Sequence, residues 1–156
     1  MPKIEIVTEA AELSLIGVPH AGSHAGIGKA FQRLADQLTA QALWDRSGAW
    51  AAIYHNSPGA VAEPALRSHA ACVFPAEAPL PDGFDRVVLS AGRYAELIHA
   101  GPYAGLPESW MWFRQTGMGA AGFVPADGPS AEMYLNDPEF TAPEDLRTRL
   151  LIPIAG

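Results

Sequence analysis

Cysteine, clustered lysine and arginine, and long apolar runs are all scarce in this sequence, and each scarcity removes a class of function. Cys72 is the sole cysteine in 156 residues, so neither an intrachain disulfide nor a cysteine-based zinc site can form. A lone thiol in such a chain is expected to be buried and inert, in a cytoplasmic protein. Lysine and arginine number 10 against 17 acidic residues, for a net charge of -7. Binding to nucleic acid needs clusters of basic side chains for the phosphates, and none is present. No apolar run approaches membrane-spanning length, and the start Met1-Pro2-Lys3-Ile4-Glu5 has no apolar signal core. No membrane partner is expected. What remains suits one small domain, 1–156, because 49% of its residues are apolar and can build a core without staples.

The strongest positive signal is internal self-similarity. His20-Ala21-Gly22-Ser23-His24-Ala25-Gly26-Ile27 recurs as His99-Ala100-Gly101-Pro102-Tyr103-Ala104-Gly105-Leu106. Ile53-Tyr54-His55-Asn56-Ser57-Pro58 recurs as Met133-Tyr134-Leu135-Asn136-Asp137-Pro138, and Leu66-Arg67 as Leu146-Arg147. The matches keep their order and nearly their offset, which points to duplication. The repeats run over about 1–75 and 83–156, joined by a proline-rich linker at 76–82.

Each copy reads as strand, helix, strand, strand. The strands Glu12 to Val18 and Arg93 to His99 run through a glycine turn into helices. In the first copy Ile27, Ala30, Phe31, Leu34 and Leu38 form one apolar helical stripe, with the helix expected to continue through Ala42 and Trp44. In the second, Leu106, Trp110 and Phe113 repeat the pattern, and Pro107 suits the first turn. Strands near 50–55, 69–74, 131–136 and 149–154 complete the copies. Extra strands at Lys3 to Val7 and Asp85 to Leu89 are expected to form hairpins with the strand that follows each. The fold class is α+β: antiparallel sheet with helices on one face, and two modules related by a pseudo-twofold axis. Gly117 is expected to end the second helix in a long loop, 117–129, with the composition of a lid.

Several motifs resolve into structure rather than chemistry. Gly117-Met118-Gly119-Ala120-Ala121-Gly122 spells the dinucleotide fingerprint, but it follows a helix rather than a strand and is rejected. His20 and His99 hold the same place in both copies, as turn residues would. No histidine pair has the spacing that puts two imidazoles on one helix face, so no metal site and no cofactor are expected. Glu132 differs. The first copy has Ala52 at its position, so the architecture does not require a carboxylate there. Alternation along the strand puts Glu132 with Tyr134 and Asn136, opposite an apolar face of Met133 and Leu135 expected to lie under the helices. Trp110 and Trp112 cannot share a helix face. Tyr54, Tyr94, Tyr103 and Trp44 are further candidates for an aromatic wall.

The stretches His99 to Leu106 with Trp110, Ala131 to Pro138, Thr141-Ala142-Pro143-Glu144-Asp145-Leu146-Arg147-Thr148 and Leu151-Ile152-Pro153-Ile154 resemble the GyrI-like family. These are small-molecule-binding domains related to the DNA gyrase inhibitor protein and to the effector domains of AraC- and MerR-type regulators. The second half matches closely. The first matches loosely, with Ser57 where the family has an acidic residue before proline. The resemblance implies that Glu132 meets the charge of lipophilic cations, with Tyr103 and Trp110 at matching aromatic positions; the residue pattern adds Tyr134, Tyr54 and Trp112 as ligand-binding aromatics, in a cleft expected between the repeats. It implies no catalytic residue unless the chain is a hydrolase of strained cyclopropane-type molecules, in which case Glu132 activates water. An interaction domain of the gyrase-inhibitor kind is a third expectation. No helix-turn-helix segment precedes the repeats, so a free-standing binding module is expected, with a protein partner or a homodimer left open.

Overall fold

The computed structural model describes residues 3–9 and 11–155; Met1, Pro2, Ala10 and Gly156, which fall in the expected 1–156 span, lie outside the described residues. The chain forms two compact units, one of residues 11–90 and one of residues 1–10 with 91–156. Strand β1 (Ile4–Glu9) belongs to the discontinuous unit, and β2 (Leu13–Ala21) opens the contiguous one. The contiguous unit continues with helix α1 (Gly28–Ala40), β3 (Trp50–Tyr54), β4 (Arg67–Val73) and β5 (Asp85–Leu89). Its strands lie in the order β3-β4-β2-β5, each pair antiparallel. The discontinuous unit adds β6 (Gly92–Ala100), α2 (Leu106–Trp112), a π-helical turn (Phe113–Gly117), α3 (Met118–Ala121), β7 (Ser130–Tyr134) and β8 (Arg147–Pro153). Its strand order is β1-β6-β8-β7, again antiparallel throughout. The class is α+β.

Alternation explains each core. In β2 and β4 every second residue, Ile16 and Val18 with Ala70 and Cys72, meets the α1 stripe of Ala30, Leu34 and Leu38. In the discontinuous unit Ala95, Leu97, Leu150 and Ile152 meet Leu106, Phe113 and Met118. Cys72 is buried within the first of these clusters, and burial pushes its thiol up to about 12.

The matched motifs build matching local structure. Gly22 and Gly101 take positive φ, at 93° and 115°. After each, a histidine ring from the preceding strand closes the turn onto a carbonyl, His20 Nε2 to Ser23 O at 2.8 Å and His99 Nε2 to Pro102 O at 3.0 Å. Further on, Asn56 and Asn136 accept from the backbone N–H of Arg67 and Arg147 at 2.8 and 3.0 Å. The two histidines thus shape turns.

Three expectations need correction. The hairpins do not form: β1 pairs with β6, and β5 pairs with β2. Neither Ala10-Ala11-Glu12 nor Ser90-Ala91 supplies the Asn-Gly or Gly-led dipeptide that a tight hairpin turn requires. Cross-strand pairs Leu13 with Leu89 and Leu15 with Val87 draw β5 to β2 instead. Helix α1 stops at Ala40, because Ala42 enters the left-handed region at φ 55° and Leu43 N–H turns back to Leu38 O at 2.9 Å. Trp44 then lies in a separate 3₁₀ turn. Lastly, the second helix runs past Gly117 to Ala121, and Gly122 ends it at φ 77°. The remainder of 117–129 is tied to the end of β8, with Ala126 N–H on Pro153 O at 2.8 Å and Ala155 N–H on Val124 O at 3.0 Å. The glycines of the rejected fingerprint are a helix interior and its cap.

Candidate functional site

Glu132 sits in the middle of β7, in register with Leu150 of β8. Leu150 faces the α2 side, and so does Glu132, only 4% exposed. This reverses the expected orientation. Met133 points to the opposite face, where its sulfur lies 4.0 Å from Arg149 Nη1, and Leu135 is exposed. The reversal has a plain cause: the helix covering β7 presents a polar donor, the Trp110 indole, and a polar acceptor on the strand answers it.

The geometry around the carboxylate is closed on both oxygens. Trp110 Nε1–H donates to Oε1 at 2.6 Å, and the Tyr134 hydroxyl donates to Oε2 at 2.8 Å. An indole nitrogen can only donate, so that oxygen accepts. None of the ion pairs among the described residues involves Glu132. Tyr103 packs on Tyr134 with ring centroids 5.3 Å apart. Burial first, then the charges of Asp137 and Glu132, push the Tyr103 phenol above its ordinary value, so it stays a neutral donor. The Arg114 guanidinium lies 4.8 Å from the Trp110 ring centroid and donates to Ser130 Oγ at 2.7 Å. The indole therefore offers its edge to an anion while its face already attracts a cation.

Of the residues anticipated as ligand-binding, the structure brings together Glu132, Trp110, Tyr134 and Tyr103. Trp112 lies elsewhere, with its ring edge against Gly117, next to Ile4 of β1. Tyr54 belongs to the contiguous unit, where its ring packs on His24 at 4.6 Å. Trp44 stacks on Trp50, which stacks on Phe31, each at 5.7 Å. Tyr94 is buried on the face of β6 opposite α2, with its phenol pushed up by burial and then by Glu9. Sequence reasoning missed Arg114; its place four residues after Trp110 was the available signal.

It also missed two polar clusters on the sheet faces away from the helices. Arg149 donates to Glu96 at 2.6 Å and to Glu9 at 2.9 Å. In the contiguous unit His69 bridges Asp85, at 2.8 Å, and His55, at 2.7 Å. Among the described residues no group of three or more His, Cys, Asp or Glu converges as a metal cage, and no helix is long and apolar enough to cross a membrane.

Similarity to known proteins agrees with this architecture. A DNA gyrase inhibitor of Erwinia billingiae (strain Eb661) is 31% identical over 112 residues, covering 69% of this chain and 70% of that one. The EcmrR C-terminal domain superposes with a TM-score of 0.75 at 12% identity, over 99% of this chain and 98% of that one. A protein solved bound to tetraphenylphosphonium superposes with a TM-score of 0.70 at 14% identity, over 100% and 94% of the two chains. These two superpositions show the fold. Residues 2–155 match the GyrI-like small molecule binding domain, and the chain belongs to that family.

Proposed function

We propose that this chain binds lipophilic cations carrying aromatic groups, with Glu132 as counter-charge and Trp110, Tyr134 and Tyr103 as the wall. One observation carries the reading: a buried carboxylate held by two neutral donors and by no ion pair among the described residues. Burying a carboxylate is costly unless hydrogen bonds or an opposite charge compensate. Two charge-assisted bonds hold it in place, and a cation seated against it adds the missing charge. The Tyr103 and Tyr134 rings attract the same cation through their faces. The structural relative bound to tetraphenylphosphonium supports this choice of ligand class.

The test is titration of tetraphenylphosphonium and of a neutral triaryl analogue, followed by tryptophan fluorescence. A hydrogen bond to a charged group contributes about 1.5–3 kcal/mol, so Glu132→Gln is expected to weaken the cation by about one to two orders of magnitude. The neutral analogue is expected to lose far less. Equal weakening of both ligands refutes the counter-charge role. Retained affinity with turnover of an activated cyclopropane substrate falling by about 10²–10⁴ replaces the binding reading with hydrolysis by Glu132. The present geometry favours binding, because both carboxylate oxygens already accept hydrogen bonds.

A further inference from the structure

Outside the Glu132 site, the contiguous unit carries a chain of three titratable side chains that the binding function does not use. His69 lies on β4, opposite Ile53 of β3, and His55 follows the last residue of β3. The ladder continues to His55, whose N–H meets Arg67 O at 3.0 Å. The two histidines are therefore diagonal neighbours on one sheet face, close enough for long side chains to touch. His55 Nε2 lies 2.7 Å from His69 Nδ1, and the rings stand edge to face at 87°. The other nitrogen of His69 faces Asp85 Oδ2 at 2.8 Å.

A carboxylate only accepts, which fixes the protons along this chain. His69 Nε2–H donates to Asp85, so His69 Nδ1 is a lone pair. His55 Nε2–H donates into that lone pair. The space for this contact is cut by Gly17 of β2, which stands in register with Asp85 on one side and Ala71 on the other. A Cβ at Gly17 would lie 3.3 Å from His69 Cβ and 3.0 Å from Ala70 O, crowding the path from Asp85 to the imidazole.

We propose that His55 and His69 form a two-histidine site for a late first-row divalent metal ion such as Zn²⁺, with Asp85 as its orienting carboxylate. The ion takes the place of the proton now shared between the rings. His55 moves that proton from Nε2 to Nδ1, which leaves the ligand pair His55 Nε2 and His69 Nδ1 and releases no proton. Two imidazole nitrogens at ordinary zinc distances stand about 2.9–3.4 Å apart, so the rings open by a few tenths of an ångström. A ligand histidine whose second nitrogen donates to a carboxylate is the usual arrangement at such sites, where the carboxylate fixes the tautomer and strengthens the ligand. The site is open to ions, since His55 and Asp85 are exposed, and water completes the coordination. Asp85 gives the cluster one negative charge. The neighbouring cation on that face of β4, Arg67, is turned onto the carbonyls of Pro64 and Leu66 at 2.8 and 2.9 Å. Imidazole donors select zinc, nickel and copper over magnesium and calcium.

The test uses the untagged full chain with ZnCl₂ in calorimetry, and MgCl₂ as the control. One equivalent of zinc is expected to bind and magnesium not at all, with the unfolding temperature rising as zinc is added. His55→Gln and His69→Gln are each expected to weaken zinc at least to the level of the double variant, and Asp85→Asn by about 10–100-fold. Long-range nitrogen NMR of the unmutated chain serves if a variant fails to fold: the ring signals of His55 and His69 are expected to shift on zinc addition. Absence of zinc binding, zinc binding equal in the double variant, or ring signals that do not move each overturns the proposal.

Discussion

A carboxylate can sit under a helix when each of its oxygens is spoken for, and Glu132 meets that condition through Trp110 and Tyr134. Its singularity was legible, because the stretch of sequence that resembles its own has Ala52 at the matching position. Its direction was not. Alternation along β7 separates Glu132 and Tyr134 from Met133 and Leu135 correctly, but hydrophobicity then assigns the wrong set to the covered face. Polar complementarity with an indole N–H outweighs that rule here, and only the pairing of α2 with β7 exposes it. The histidine pair was hidden for a similar reason, since helical spacing is blind to contacts made across a sheet. At the same scale, Ala42 holds φ 55° at the end of α1, a conformation that burdens any residue with a Cβ. Ala42→Gly is expected to raise stability by about 0.5–1 kcal/mol, the relief of that strain less the added freedom of the unfolded chain. A urea midpoint that falls or stays put contradicts this reading of the cap.

Among the elements, the second helix diverges most from its sequence description. Glycines at 117, 119 and 122 suggest a loop, because glycine weakens helices on average. The structure gives each a different task. Gly117 closes the π-helical turn, and a Cβ there would lie 2.5 Å from Ile4 Cδ1 and 2.8 Å from Trp112 Cζ3. Gly119 has open space around it, and Gly122 takes the left-handed cap. Gly117→Ala is therefore expected to cost about 1–3 kcal/mol through overpacking, whereas Gly119→Ala gains up to about 1 kcal/mol of helix propensity. Thermal unfolding of the two variants side by side decides the matter: equal effects contradict the close packing of β1, Trp112 and the π-helical turn. In contrast, the α1 stripe of Ala30, Leu34 and Leu38 was readable from periodicity alone, because nothing but packing is asked of it.

At the scale of the molecule, the alternation of strand and helix patterns made the α+β class readable. Strand partnership was not, since it depends on contacts between residues distant in sequence. The contiguous unit takes β5 as its edge, and the discontinuous unit takes β1. A fragment of residues 91–156 accordingly lacks the strand that covers one edge of β6. It is expected to gain ordered structure when a peptide of residues 3–9 is added, and to remain unchanged with a scrambled peptide. Circular dichroism and amide exchange of the fragment test this, and indifference to the native peptide refutes it. The same connectivity sets an order of events during synthesis. The partner of β1 is made only after the whole of the contiguous unit, so β1 has to wait for β6 before it can take its place. The alternation of Glu5 and Glu9 with Ile4 and Ile6 equips it for the wait, because charges on a lone strand discourage pairing with another nascent chain.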